Sequence, residues 1–216
     1  VDMRIRFDEQ LKQLNKEMIN MGTMIEKSIG DAVKALMKQD VELAQKVMAG
    51  DEEIDRTERK IEDLCLRLLL QQQPVARDLR NISAALKMVT DMERIGDHAT
   101  DISELAIVLS EKTYVKKLDH IEEMARETMV MLIQSLEAYV EKDLDKAQKV
   151  IAHDDVIDDL FEEVKQELIE LIRNHADEGE QAVDLLMVTK YFERIGDHAT
   201  NIAEWVIFSI TGQIAG

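Results

Sequence analysis

The sequence predicts an all-α fold of two tandem three-helix bundles, built from long antiparallel helices and related by internal duplication. Apolar residues recur every three or four positions over most of the chain, which is the spacing of amphipathic helices. One proline, eight glycines and 4% aromatic residues among 216 favour helices over sheets. The same octapeptide stands at Glu93–Thr100 and at Glu193–Thr200, so each half carries one copy of a repeated unit.

Helices 1 and 2 are predicted from two successive apolar stripes. The stripe of helix 1 ends near Gln39 and consists of Phe7, Leu11, Leu14, Met18, Met21, Ile25, Ile29, Ala32 and Leu36. The stripe of helix 2 consists of Ala44, Val47, Ile54, Ile61, Cys65 and Leu68. Pro74 then interrupts the helical pattern, so residues 71–76 are predicted to form a turn.

Helix 3 is predicted from about Arg77 to about Ser110, with the apolar stripe Leu79, Ile82, Leu86 and Val89. After residues 111–117 the plan repeats. Helix 4 carries the stripe Leu118, Ile121, Ala125, Thr128, Leu132, Ser135 and Tyr139, and helix 5 carries Ala147, Val150, Ile157, Phe161, Val164, Leu168 and Leu171. Helix 6 starts near Gln181. Short connections imply antiparallel neighbours, which places the first bundle at residues 1–112 and the second at 113–216.

Charge and composition exclude several classes of partner and location. A net charge of −18 argues against nucleic acid, because binding there relies on lysine and arginine, and it favours cations or basic protein surfaces. The longest apolar runs, Leu105–Leu109 and Trp205–Ile210, are far shorter than the roughly 20 residues that span a bilayer. The single Cys65 excludes an intramolecular disulfide and suits a reducing compartment. We expect a soluble, cytoplasmic protein.

Carboxylates occupy helix positions where apolar residues belong. The spacing of helix 2 puts Asp51 and Glu58 on its apolar seam, and that of helix 5 puts Asp154 there. Helix 3 carries one line of acids, and helix 6 repeats that line except that Asn201 stands where the first copy has Asp101. The two lines are Glu93, Asp97, Asp101 and Glu104, and Glu193, Asp197 and Glu204.

The register of the two hairpins predicts that these acids meet. A hairpin folded about Pro74 sets Asp51 level with Asp97, and Asp55 level with Glu93. A second hairpin, centred near residues 174–180, does the same for four more acids, Asp154, Asp158, Glu193 and Asp197. Carboxylates about 6 Å apart repel by roughly 2–3 kcal/mol per pair at an effective dielectric near 20. Each cluster therefore needs protons, arginines or cations.

A metal site is one way to satisfy the clusters, with Asp101 beside the first and His98 and His198 as possible imidazole donors. Oxygen ligands favour hard ions such as magnesium, manganese, calcium or iron. Iron, manganese, magnesium and zinc all stay open as the native ion.

A purely structural charge network is the alternative. The acids would then form a solvated face, Arg94 and Arg194 would pair with Asp97 and Asp197, and the opposite face of helix 3 would be buried. That buried face would consist of Ile95, Ala99, Ile102, Ala106 and Leu109. Under either interpretation Gly96 and Gly196 are expected to permit close helix approach, since a mid-helix glycine otherwise costs about 1 kcal/mol.

These motifs resemble the PhoU family of phosphate-signalling regulators over nearly the whole chain. The resemblance rests on Ala76–Arg80 and on the paired motifs Asp51-x-x-x-Asp55 with Glu93–Asp97 and Asp154-x-x-x-Asp158 with Glu193–Asp197. It implies two three-helix bundles, single or multinuclear metal sites on the acidic motifs, and frequent homodimers. It also implies a regulator that holds the phosphate-starvation response off and modulates phosphate uptake. That regulator would link the ATPase subunit of the phosphate-specific ABC transporter to the phosphate-sensing histidine kinase, and it would meet the membrane only through these partners.

A second class, the carboxylate-bridged iron proteins, is weighed against this one. Di-iron oxidases and iron stores place four inward acids and two Glu-x-x-His elements on four helices. Here His98 follows Glu93 by five positions instead of three, and the acids form two separate hairpin sites. Neither a nucleophile with its base nor a glycine-rich phosphate loop is found, so we predict no enzymatic activity.

Overall fold

The computed structural model describes residues 3–71 and 74–214, and within those ranges it contains six α-helices and no β-strand. The helices are α1 (Met3–Lys38), α2 (Val41–Gln71), α3 (Ala76–Leu109), α4 (Asp119–Glu141), α5 (Leu144–Asn174) and α6 (Gly179–Thr211), with a short 3₁₀ turn at Ala176–Glu178. The predicted all-α fold of two three-helix halves is confirmed. None of the helices within the described ranges offers an apolar stretch long enough to cross a membrane.

The predicted helix ends agree closely with the structure. The helix α2 ends at Gln71 and α3 begins at Ala76, on either side of Pro74, and residues 72 and 73 of the predicted turn lie outside the described residues. The boundary between the halves at residues 112 and 113 falls in the connection from α3 to α4. Whether each half is an independent domain stays a prediction.

The connection between the first and second helices has the same backbone geometry in both halves. Gln39 follows α1 and Lys142 follows α4, and both residues adopt the left-handed backbone conformation, with φ angles of 54° and 55°. The next residues, Asp40 and Asp143, each accept a hydrogen bond of 3.0 Å from the backbone N–H three positions later, which caps α2 and α5. The duplication therefore extends to loop geometry.

The predicted apolar stripes form the core, with one correction at the start of α3. Leu79 is 44% exposed, and the inward position at that level belongs to Asp78. The carboxylate of Asp78 lies 3.1 Å from a guanidinium nitrogen of Arg4 on α1. A paired acid has taken the buried position there, whereas Ile82 and Val89 of the predicted stripe are fully buried.

The two halves pack against each other mainly through α3 and α6, and α1 also contacts α4. The two central helices are antiparallel, because His98 of α3 lies beside Tyr191 of α6 while Asp91 of α3 lies beside His198. Since α3 also packs against α1 and α2, its residues from Ile95 to Leu109 have a buried face as well as an acidic one. Burial of the apolar face and clustering of the acids therefore coexist on α3.

Candidate metal centre

Two glycines let the helices of each hairpin approach closely enough for the acids to meet. A Cβ atom at Gly96 would lie 3.2 Å from Cγ2 of Ile54 on α2, tighter than ordinary van der Waals contact. A Cβ atom at Gly196 would lie 3.3 Å from Cγ2 of Ile157 on α5. The expected role of both glycines is confirmed.

Five carboxylates of α2 and α3 gather beside Gly96. Their oxygen atoms form two groups of three, each lying within 4.8 Å of one another, and Asp55 belongs to both groups. The first group is Asp51, Asp55 and Asp97, and the second is Asp55, Glu58 and Glu93. We call these five residues the first-half cluster. The predicted register brings four of them together, and Glu58, which the sequence places on the seam of α2, completes the set.

Basic side chains do not neutralise this cluster. In the part of the chain that the structure describes, no lysine or arginine forms an ion pair with Asp51, Asp55, Glu58 or Asp97. Arg94 is 62% exposed and lies 4.0 Å from Glu93, so the alternative pairing of Arg94 with Asp97 is not formed. Two carboxylates about 5 Å apart repel by roughly 3 kcal/mol at an effective dielectric near 20. The cluster must take up positive charge or protons.

Burial and this repulsion together shift the pKa values of the cluster upward. Burial, a hydrogen bond with Asp97 and the charges of its acidic neighbours raise the pKa of Glu93 to about 8. Burial and nearby acids also raise the pKa of Glu58 to about 7 and that of Asp51 to about 6. At neutral pH the cation-free cluster is therefore partly protonated, and a bound cation would displace protons.

The donor set suits a hard cation. The buried Oδ1 atoms of Asp51 and Asp55 have no hydrogen-bond partner, which is costly for an acceptor in the interior. A divalent ion would satisfy both. One ion would be held by Asp51, Asp55 and Asp97, and a second by Asp55, Glu58 and Glu93. Oxygen-only donors fit magnesium, manganese or iron better than ions that prefer sulfur.

Asp101 and the two predicted imidazole donors lie at the interface between the halves. Nδ1 of His98 lies 3.2 Å from Asp101, and Nδ1 of His198 lies 2.9 Å from Asp91. The two imidazole rings are 5.6 Å apart. Within the described residues none of these side chains joins either group of three acids. The duplication does place both histidines at equivalent positions, but the sequence contains no sign that α3 and α6 are neighbours.

A cleft between the halves exposes one side of the first-half cluster. Its volume is about 530 Å³. The lining residues are Asp51, Arg94, Asp97, His98, Thr100, Asp101, Arg194 and His198. An ion can reach Asp51 and Asp97 from solvent through this cleft.

The acids of the second half are assembled less tightly. We call Asp154, Asp158, Glu193 and Asp197 the second-half cluster. Burial and the charge of Asp158 raise the pKa of Asp154 to about 6, and its buried Oδ1 atom has no hydrogen-bond partner. Within the described residues, however, no three of these acids bring their oxygens within 4.8 Å of one another. The alternative pairing of Arg194 with Asp197 is not formed either, and Arg194 lines the cleft.

Comparison with known proteins gives consistent matches across both halves. The PhoU domain model matches residues 18–106 and 121–206. A Clostridium acetobutylicum protein named phosphate-specific transport system accessory protein PhoU homolog is 40% identical over 208 residues, covering 96% of this chain and 95% of that protein. A Thermotoga maritima protein of the same name, homolog 1, is 32% identical over 210 residues and covers 97% and 90%. The crystal structure of PhoU from Pseudomonas aeruginosa superimposes with a TM-score of 0.92 at 33% identity, covering 96% of this chain and all of that one.

Proposed function

The chain belongs to the PhoU family, and on that premise we propose that it is a negative regulator of the phosphate-starvation response and a modulator of phosphate uptake. It acts on the cytoplasmic side of the membrane, between the ATPase subunit of the phosphate-specific ABC transporter and the phosphate-sensing histidine kinase. The observation that carries this proposal is that both halves match the PhoU domain model. A transport-system accessory protein also aligns with 96% of the chain.

The chain acts by binding. Its net charge of −18 assists association with basic protein surfaces, and such an attraction weakens as salt rises above about 0.15 M. The helices, several of them more than thirty residues long, offer extended faces for docking, and a homodimer would double those faces.

The first-half cluster is proposed to bind a divalent cation that sets the spacing of α2 and α3. The cation would offset the repulsion among five carboxylates, and it would lie beside the cleft where the two halves meet. Its occupancy would then influence the shape of the surface that partners recognise.

Gene deletion and complementation test the function. In phosphate-rich medium the deletion strain should express phosphate-starvation genes, because the link that restrains the kinase is gone. Wild-type protein should restore repression, and so should Asp63→Asn, which removes an exposed acid from the same helix. Asp55→Asn should restore it only partly if cation occupancy shapes docking. Normal repression in the deletion strain, in a host without a second copy of the gene, would refute the regulatory role.

An iron-oxidising or iron-storing role is the other candidate, and the two acid groups that share Asp55 are the feature that favours it. The helical arrangement weighs against it, because the first-half cluster draws on two helices whereas a di-iron bundle site draws on four. Oxygen-dependent turnover of ferrous iron separates the candidates. We expect none above the level of an Asp55→Asn variant.

A further inference from the structure

Besides Asn201, which replaces Asp101, two differences between the halves concern the acid clusters and the charges around them. Phe161 occupies the position in α5 that corresponds to Glu58 in α2. Lys190 occupies the position in α6 that corresponds to Thr90 in α3. At these two positions the second half has lost one carboxylate and gained one ammonium group relative to the first.

The two substituted side chains lie against each other, and Lys190 also contacts the second-half cluster. Nζ of Lys190 lies 2.5 Å from Oε1 of Glu193, which is a short charge-assisted contact. The same Nζ lies 5.2 Å from the centroid of the Phe161 ring, within range of a cation–π interaction. Lys190 is thus contacted on two sides, and the carboxylate of Glu193 already has a cationic partner.

The charge of Lys190 reaches other acids of the cluster as well. Burial and neighbouring acids raise the pKa of Asp158 and the pKa of Asp197, and the charge of Lys190 partly offsets both increases. In the described part of the first half, Thr90 provides no such charge, and the corresponding Glu93 lies in a group of three acids.

We propose that Lys190 is the built-in cation of the second half, so that this chain binds a divalent ion in the first-half cluster and not in the second. The inference rests on the proposed cation site of the first half, and it departs from the family expectation of a metal site in each half. Five carboxylates face the ion in the first half, whereas four carboxylates and one ammonium would face it in the second. An added positive charge at about 5 Å should weaken divalent binding on the order of tenfold or more.

Mn²⁺ binding to the full chain tests the inference, measured by equilibrium dialysis and by calorimetry after chelator treatment. Asp55→Asn reports on the first half, and its counterpart Asp158→Asn reports on the second. In an otherwise wild-type chain, Asp55→Asn should abolish Mn²⁺ binding and Asp158→Asn should leave it unchanged.

Reciprocal exchange of the two differing positions gives the decisive comparison. Lys190→Thr, or Lys190→Thr with Phe161→Glu, should add Mn²⁺ binding that Asp158→Asn removes. Lys190→Met retains the apolar stem over Phe161 and should add the same binding if charge is responsible. Thr90→Lys should weaken first-half binding by about tenfold or more. Circular dichroism of each variant confirms that it is folded.

The outcomes separate this inference from the proposed function. If the wild-type chain binds no Mn²⁺, the first-half site is refuted and the inference fails with it. If Asp158→Asn lowers binding by the wild-type chain as much as Asp55→Asn does, the first-half site stands and only the inference fails. Folded Lys190→Thr and Lys190→Met variants that gain no binding would likewise overturn it.

Discussion

Nδ1 of His198 lies 2.9 Å from Oδ1 of Asp91, and this contact joins α6 of the second half to α3 of the first. The amide of Asn201 donates to the same oxygen at 3.3 Å. Asn201, which replaces the third acid of the repeat, thus helps to hold the two halves together. The same carboxylate therefore accepts from two residues of the other half.

Asp91→Ala should therefore destabilise the protein. Two donors lose their acceptor in a partly buried contact, which typically costs about 1–2 kcal/mol. Urea denaturation should show a lower free energy of unfolding than for Asp63→Ala, which removes an exposed acid from α2. Equal stability of the two variants would mean that the contact contributes nothing to the packing of the halves.

Gly96→Ala should lower stability, whereas Gly50→Ala should not. The new Cβ of the first variant would lie 3.2 Å from Cγ2 of Ile54, while that of the second would meet nothing within 4 Å. Crowding costs about 1–3 kcal/mol and outweighs the gain of about 1 kcal/mol in helix propensity, a gain that Gly50→Ala retains in full. Thermal melts should therefore shift in opposite directions. Two shifts of the same sign would argue against close approach of α2 and α3 as a constraint.

The cation-free protein should lose stability as pH rises from about 5 to about 8. The pKa values of Asp51, Glu58 and Glu93 are raised in the folded state to about 6, 7 and 8. A raised pKa means that the folded state binds protons more tightly, so its advantage is present at low pH and fades as these groups ionise. The free energy of unfolding in chelator should show this fall.

Two variants identify the source of that fall. Glu93→Gln removes the group with the highest pKa of the three, so its stability should depend less on pH. Glu104→Gln changes an exposed acid on the same helix and should behave like wild type. A pH-independent wild-type protein would contradict the mutual repulsion inferred for the first-half cluster.

His120 should stabilise the protein below about pH 6.5 and progressively less above it. A hydrogen bond to Glu167 raises the pKa of His120 above its ordinary value of 6.5, and Glu163 lies 3.4 Å away. The raised pKa contributes stability at low pH that is lost as the imidazole deprotonates. The difference in unfolding free energy between wild type and His120→Gln should therefore shrink with rising pH. His175→Gln, at an exposed position, should show no such trend.

The sequence predicts the helices and the pairing of helices that are consecutive along the chain. The stripes locate six helices, and a short turn at Pro74 determines the register of α2 and α3, which is why Asp51 and Asp97 meet as predicted. The spacing of α2 places Glu58 on its apolar seam, but the paired Asp-x-x-x-Asp motif does not include this residue, so the sequence does not assign it to the site.

Packing between the halves was not predictable from the same patterns. The contacts of His98 and His198 depend on how α3 and α6 lie against each other, and amphipathic spacing does not specify the partner of a helix that is buried on several sides. The contrast between Lys190 and Thr90 is visible when the repeats are aligned position by position. Its meaning depends on the contacts that the structure provides.

Metal content of the protein purified without chelator tests the central claim most directly. Elemental analysis should find divalent metal in the wild type, little in Asp97→Ala, and an undiminished amount in Asp197→Ala. The Asp97→Ala protein should remain folded, and in chelator it should be at least as stable as wild type, because removing one acid relieves repulsion. A wild-type protein without bound metal, or an Asp97→Ala protein with full metal content, would contradict a cation site in the first half.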